Sequence, residues 1–137
     1  MRRLTITIGA QRFDALWEED AAPLTCETVR RLLPLDGQII HARWSGEAAW
    51  LPLGDLQVAR IAENAKTEPK AGELLLYPGG VSETEILIPY GLTRFACNAG
   101  SLAGNHFATI AGDTSRLAEI GTALLRTGAQ AIRIEEQ

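Results

Sequence analysis

The residues with the most chemistry in this 137-residue chain are two histidines, a few well-placed arginines, and tyrosines standing beside Pro or Gly. His106 follows Gly104-Asn105 at the start of a strand pattern, a setting that presents an imidazole to a ligand or ties it into a barrel rim. His41 lies in mid-strand, and alternation puts Arg43 on the same face. Arg43 can hold a carboxylate with its planar fork, or pair with Glu47 across the Ser45-Gly46 turn. Tyr77 and Tyr90 end strand-like runs, where a phenol hydrogen-bonds a ligand or closes a barrel with its hydroxyl wet. Asn105, like Asn98, belongs beside its glycine as a turn stabiliser or at a ligand. Arg43, Glu47, Tyr77, Tyr90, Asn105 and His106 therefore form the expected ligand-binding set at a barrel mouth. Trp44 and Trp50 are core, interface or pocket-wall residues, and Arg94 is a solvated loop charge or an anion contact.

Other chemistries lack their residues. Gly79-Gly80 and Gly100 to Gly104 are followed by no Lys-Ser/Thr and open no helix, so no phosphate loop is present. No serine stands in a nucleophile-elbow setting. Cys26 and Cys97 form no CxxC pair and join no histidine cluster, so no metal site is expected and free thiols are the plain reading. No cofactor is implied, and no catalytic residue is assigned. The charge of 13 − 17 = −4 lacks the basic footprint of a nucleic-acid binder and disfavours an anionic membrane surface. After Met1-Arg2-Arg3 the chain alternates Leu4-Thr5-Ile6-Thr7-Ile8, unlike the continuous apolar run of a signal peptide. No stretch reaches a membrane span, so a cytoplasmic location is expected.

The elements that must position these residues are mostly strands. Leu4–Ile8 and Phe13–Trp17 alternate around Gly9-Ala10-Gln11 and predict a first hairpin. Thr25–Leu33 shifts to helical spacing, capped by Thr25, with Val29, Leu32 and Leu33 inward, Arg30 and Arg31 outward, and Pro34 as its stop. Gln38–Trp44 and Glu47–Leu53 make a second hairpin. Residues 54–70 are the least regular, with room for a short helix or turn around Asp55–Asn64. Glu73–Tyr77, Glu85–Tyr90, a short Phe95–Cys97 and His106–Ala111 read as further strands. In the second of these, Ile86 and Ile88 share one face, and Glu85 and Leu87 the other. Asp113 caps a second helix striped by Leu117, Ile120, Leu124 and Leu125, with Gly128 past its end and a last strand from Ala129 to Ile134. Seven to nine short strands with two helices are best satisfied as one domain, residues 1–137, mainly β and closed into a barrel.

Four segments carry a resemblance: Gln38–Trp50 with its Trp-Ser-Gly-Glu turn, Glu73-Leu-Leu-Leu-Tyr-Pro-Gly-Gly80, Ile88-Pro-Tyr-Gly91, and Gly100–Phe107. Together they resemble the cyclophilin-like superfamily over almost the whole chain, in a branch of small bacterial and archaeal proteins labelled as a domain of unknown function. The resemblance implies a closed cyclophilin-like β-barrel with two α-helices. Related domains occur in enzymes that open cyclic amides, which implies a small carboxylate- or amide-containing ligand. Prolyl isomerases of this fold carry an Asn-Ala-Gly stretch that Asn98-Ala99-Gly100 echoes, so a peptide-binding module with weak or no isomerase activity is the alternative. The only methionine is Met1, and no Arg-aromatic-Met-Gln segment is present, which counts against the isomerase. A homo-oligomeric structural subunit with Trp17, Trp44 and Trp50 at its interface is a third reading.

Overall fold

A computed structural model describes residues 3–137; Met1 and Arg2 of the N-terminal charged start lie outside the described residues. The chain runs β1 (Arg3–Ile8), β2 (Gln11–Trp17), α1 (Pro23–Leu32), β3 (Leu35–His41), β4 (Gly46–Gly54), β5 (Ala65–Lys66), β6 (Glu73–Tyr77), β7 (Thr84–Thr93), β8 (Ala96–Cys97), β9 (Gly100–Ser101), β10 (Gly104–Ile110), α2 (Ser115–Thr127) and β11 (Gln130–Glu136). Eight strands pair antiparallel in the order β2-β1-β11-β3-β4-β7-β6-β10, and β10 pairs back onto β2 to close the ring. The fold is a closed eight-stranded antiparallel barrel with two helices, and closure leaves those strands no free edge.

Alternation divides the side chains cleanly. Leu4, Ile6, Ile8, Phe13, Ala15, Ile39, Ala49, Leu51, Leu74, Leu76, Ile86, Ile88 and Phe107 point inward and fill the barrel. The opposite parity of β4, β6 and β7 places Ala48, Leu75, Tyr77 and Leu87 outside, where they form a second apolar cluster with Phe95 and Leu102. That outer cluster is covered by residues 93–103, whose small β8–β9 hairpin pairs Ala96 with Ser101 and Cys97 with Gly100.

Local signals placed several boundaries. Gly9, at φ +57°, makes the first turn, and Ile6 faces Phe13 as alternation requires. Gly128 ends α2 with φ +85°, its N–H donating to Leu124 O. Asp113 is not the N-cap of α2, which is Thr114, but stands one residue before it and accepts from the Ser115 N–H and hydroxyl, both at 2.9 Å.

Other expectations need correction. Thr25 is not the cap of α1 but lies inside it. The cap comes from Glu63, which accepts from the Leu24 and Thr25 N–H groups at 3.2 and 2.7 Å and from the Thr25 hydroxyl at 2.7 Å. No helix forms at 55–64. The turn the sequence also allowed is there, at Asp55, followed by irregular chain; its far end is held by Asn105, which takes the Glu63 N–H at 3.0 Å and donates to Ile61 O at 2.9 Å. Arg30 does not point into solvent: its guanidinium lies 4.4 Å above the Trp17 ring and pairs with Glu19 and Glu136.

The Glu63 latch has a measurable consequence. Burial works to raise its carboxyl, but hydrogen bonds from Thr25 and Leu24 outweigh it and hold the pKa below the usual carboxylate range. A depressed carboxylate contributes stability above its unfolded pKa and loses it as pH falls through the folded one. Glu63→Gln is expected to cost about 1 kcal/mol at neutral pH, as loss of a helix cap does. The deficit should shrink below pH ~4, where both proteins carry a neutral group. Urea melts at pH 7 and pH 3 check it; an equal deficit at both would show that charge has no part in the latch.

Candidate functional site

The outer face of β4 and β7 is not wholly covered. Trp50 and Leu87 pair across the two strands, and Pro52 pairs with Glu85 in the next row. Glu85 in turn pairs with Tyr77 of β6. Two loops stand over this floor. Residues Ala42–Ser45 connect β3 to β4, and residues Ala96–Asn98 begin the β8–β9 hairpin. Ser45, itself buried, clamps the loops together, its hydroxyl donating to Ala96 O and accepting the Ala96 N–H, both at 3.1 Å. Between them lies a cavity of about 300 Å³, with Trp50, Glu85 and Leu87 as its floor and Arg43, Trp44, Ser82 and Cys97 among its walls.

Glu85 stands out as an acidic residue only 6 % exposed that sits among apolar neighbours. No side-chain hydrogen bond or ion pair joins it to another described residue. Burial foremost, and the nearby Glu83 second, push its pKa up to about 8, so it is largely protonated at neutral pH. Buried carboxyls normally find partners within the protein. Opposite it in function is Arg43, which is exposed, has no ion pair among the described residues, and lies 5.9 Å from the Trp44 ring. An acid and a guanidinium without an ion pair, in one lining, give the cavity one hydrogen-bond donor and one anion receptor.

The six residues expected at a common barrel mouth are not brought together. Arg43 alone lines this cavity. Glu47 does not pair with Arg43. It occupies the irregular register between β4 and β7, accepts the Leu92 N–H at 2.7 Å, and packs against Gly91. Tyr77 supports the wall indirectly, its hydroxyl accepting from the Val81 and Ser82 N–H groups at 3.0 and 3.3 Å. Tyr90 faces the core. His41 Nδ1 lies 2.7 Å from Ala42 O, an acceptor only, so Nδ1 carries the proton and Nε2 accepts the Tyr90 hydroxyl at 2.7 Å. Asn105 is the buried clamp on residues 61–63 described above.

His106 is buried in a separate polar chain. The Thr109 hydroxyl donates to Glu18 at 2.9 Å, so it accepts from His106 Nε2–H at 2.7 Å. This leaves Nδ1 without a hydrogen bond, 3.9 Å from Glu73. Burial and then Lys66 lower the His106 pKa, against the pull of Glu73 and Glu18, which keeps the ring neutral. Sequence reading missed Glu85, although its signal was there: an acid within an apolar strand, on the face opposite Ile86 and Ile88. Cys97 was read only as a free thiol, and it is one, half-buried in the cavity wall, while Cys26 is buried.

A family model described as a protein of unknown function (DUF3830) matches residues 4–136. A comparison with curated proteins gives no match. Among solved structures, McbB in complex with tryptophan is similar with TM-score 0.73 and 16 % identity, covering 96 % of this chain and 44 % of that one. The chain thus spans less than half the length of McbB. The solution structure of the hypothetical protein AF2241 from Archaeoglobus fulgidus is similar with TM-score 0.66 and 18 % identity, covering 98 % of this chain and 93 % of that one. Identities this low speak for the fold alone. No helix among the described residues is long and apolar enough to cross a membrane.

Proposed function

The chain belongs to the DUF3830 family, and from that footing we propose that it binds a small carboxylate- or amide-containing molecule, not in the barrel mouth but in the flank cavity over Glu85 and Arg43. The observation that carries this reading is the Glu85 carboxyl, on a largely buried side chain and without a hydrogen bond to another described residue, in a cavity lining that also holds Arg43. Arg43 takes the ligand's carboxylate, the protonated Glu85 donates to a carbonyl or amide oxygen, and Trp44 and Trp50 flank the apolar part. A cavity of about 300 Å³ lies at the small end of ligand sites. The tryptophan of the McbB complex is a carboxylate with an aromatic body, the class these walls suit. The two-helix barrel agrees with a cyclophilin-like assignment.

A thermal-shift screen with tryptophan, small carboxylates, cyclic amides and proline-containing peptides tests this, since a ligand that binds the folded state raises its melting point. A carboxylate hit is expected to bind Arg43→Ala about ten- to a hundredfold more weakly, the worth of a charge-assisted hydrogen bond. The same hit should shield Cys97 from iodoacetamide, with the buried Cys26 as internal control. Shifts with peptides alone would move the assignment to a peptide-binding module. A hit that leaves Cys97 open to alkylation would place the site elsewhere.

A further inference from the structure

We propose that Glu85 is an acid–base catalyst, and that the cavity carries out proton transfer at a carbon or nitrogen beside a carbonyl in a substrate whose carboxylate Arg43 holds. This rests on reading the cavity as a small-molecule site and goes beyond it by assigning a reaction. Two observations carry it. Glu85 is 94 % buried yet lines an open cavity. Its pairing neighbours, Pro52 and Tyr77, give its carboxyl no hydrogen bond: Pro52 has no side-chain donor, and the Tyr77 hydroxyl sits instead at the Val81 and Ser82 N–H groups, from which it accepts. An acid left without partners in an apolar setting has the environment that brings a carboxyl near neutral working pH, where it gives and takes protons readily.

In the step, the ionised Glu85 oxygen takes the proton as the substrate's C–H or N–H bond breaks. The bonding pair moves into the adjacent carbonyl, and the new Glu85 O–H returns the proton to another atom of the same frame. The outcome is an isomerisation that consumes no co-reactant and leaves Glu85 as it began. The charged and titratable groups facing Glu85 are Glu83 on its own side, Tyr77 from β6, and Arg43 and Cys97 across the cavity. From β4 it meets only Pro52 and Trp50, neither of which titrates.

5-Nitrobenzisoxazole is the probe. A base removes its C–H proton, the pair forms a nitrile as the ring N–O bond breaks, and the ring opens to a coloured cyanonitrophenolate. It carries no carboxylate, so it needs Glu85 and not Arg43. The wild-type rate should rise about tenfold per pH unit and level off near pH 8. Glu85→Gln should lower it by about tenfold or more, while Arg126→Ala, exposed on α2 and outside the cavity lining, stays within about twofold. A Glu85→Gln rate within about twofold of wild type, or a wild-type profile with no inflection near pH 8, overturns the proposal. The wild-type profile stands even if the variant folds poorly. Glu85-dependent elimination together with a failed carboxylate screen would keep the base and discard the Arg43 clamp. The reverse result would keep the binding site and discard the base.

Discussion

Glu85→Gln is expected to melt well above wild type at pH 9 and close to it at pH 4. The carboxyl is raised to about 8 in the folded protein by burial first and Glu83 second, against about 4.5 when unfolded. Between those values the folded chain holds a proton that the unfolded chain has released. Stability therefore falls with rising pH, by about 1.4 kcal/mol per unit where the difference is a full proton. Below pH ~4.5 both states are protonated and the penalty vanishes; above pH ~8 both are ionised and it is complete. Glutamine has the same shape and no charge to bury, so it avoids the whole penalty, on the order of 3–5 kcal/mol. For a chain of this size that is a gain on the order of 10 °C at pH 9.

His106 acts in the opposite direction. Its folded pKa is lowered, so its contribution is lost as pH falls below its unfolded value, and the variant-minus-wild-type difference cancels it. Melting curves for both proteins from pH 4 to 9 make the measurement. A difference that does not change with pH would mean Glu85 titrates as an ordinary surface acid. A residue whose removal stabilises the fold is one retained for something other than folding.

How much of this was legible in the sequence depends on how far each determinant lies along the chain. The first hairpin, the α2 stripe and the Gly128 stop are set by neighbours within a few residues, and periodicity exposes them. Residues 55–64 are set by Glu63 reaching Thr25 and by Asn105 reaching Ile61, contacts spanning 38 and 44 residues. No local pattern announces those, so the segment left a short helix or a turn open, and only a turn at Asp55 forms. The site shows the same division. Tyr77, Tyr90, Asn105 and His106 were grouped because each ends or begins a strand, a property that ignores which face the side chain takes. Alternation from Ile86 and Ile88 already sends Tyr90 inward and Glu85 outward, and both lie where that parity puts them. Face, not strand end, was the better guide to the cavity. The pairing of β4, β6 and β7 that assembles its floor is non-local and came only with the fold.

Trp17 illustrates the cost of reading residue type without position. Grouped with Trp44 and Trp50 as interface material, it is buried at the barrel's inner edge, 6.2 Å from the Phe107 ring and beneath Arg30. Trp44, 57 % exposed, and the partly buried Trp50 are the two that meet solvent, and both border the cavity. Of the three, these are the pair that line the cavity.

Gly121→Ala is expected to destabilise the protein strongly, although on an isolated helix the same change gains up to about 1 kcal/mol. Gly121 is buried on α2, and a methyl group built there falls within the Tyr90 ring. The ring cannot step aside cheaply. It is buried in the core, its hydroxyl donates to His41 Nε2 at 2.7 Å, and His41 is fixed in turn by Ala42 O. Moving Tyr90 breaks that hydrogen bond and shifts α2 off the strands it covers, so overpacking of about 1–3 kcal/mol adds to a lost buried hydrogen bond. A net loss of about 3 kcal/mol is expected, and Gly121→Ala with Tyr90→Phe should recover little of it, because the ring remains. Gly121→Ala with Tyr90→Leu should recover more by opening the space. Urea melts of the three variants decide it. A Gly121→Ala protein as stable as wild type would mean that α2 rides loosely on the barrel end. The loop from His41 through Ala42 leads into the Arg43 wall of the cavity, so a displaced Tyr90 should also disturb that wall.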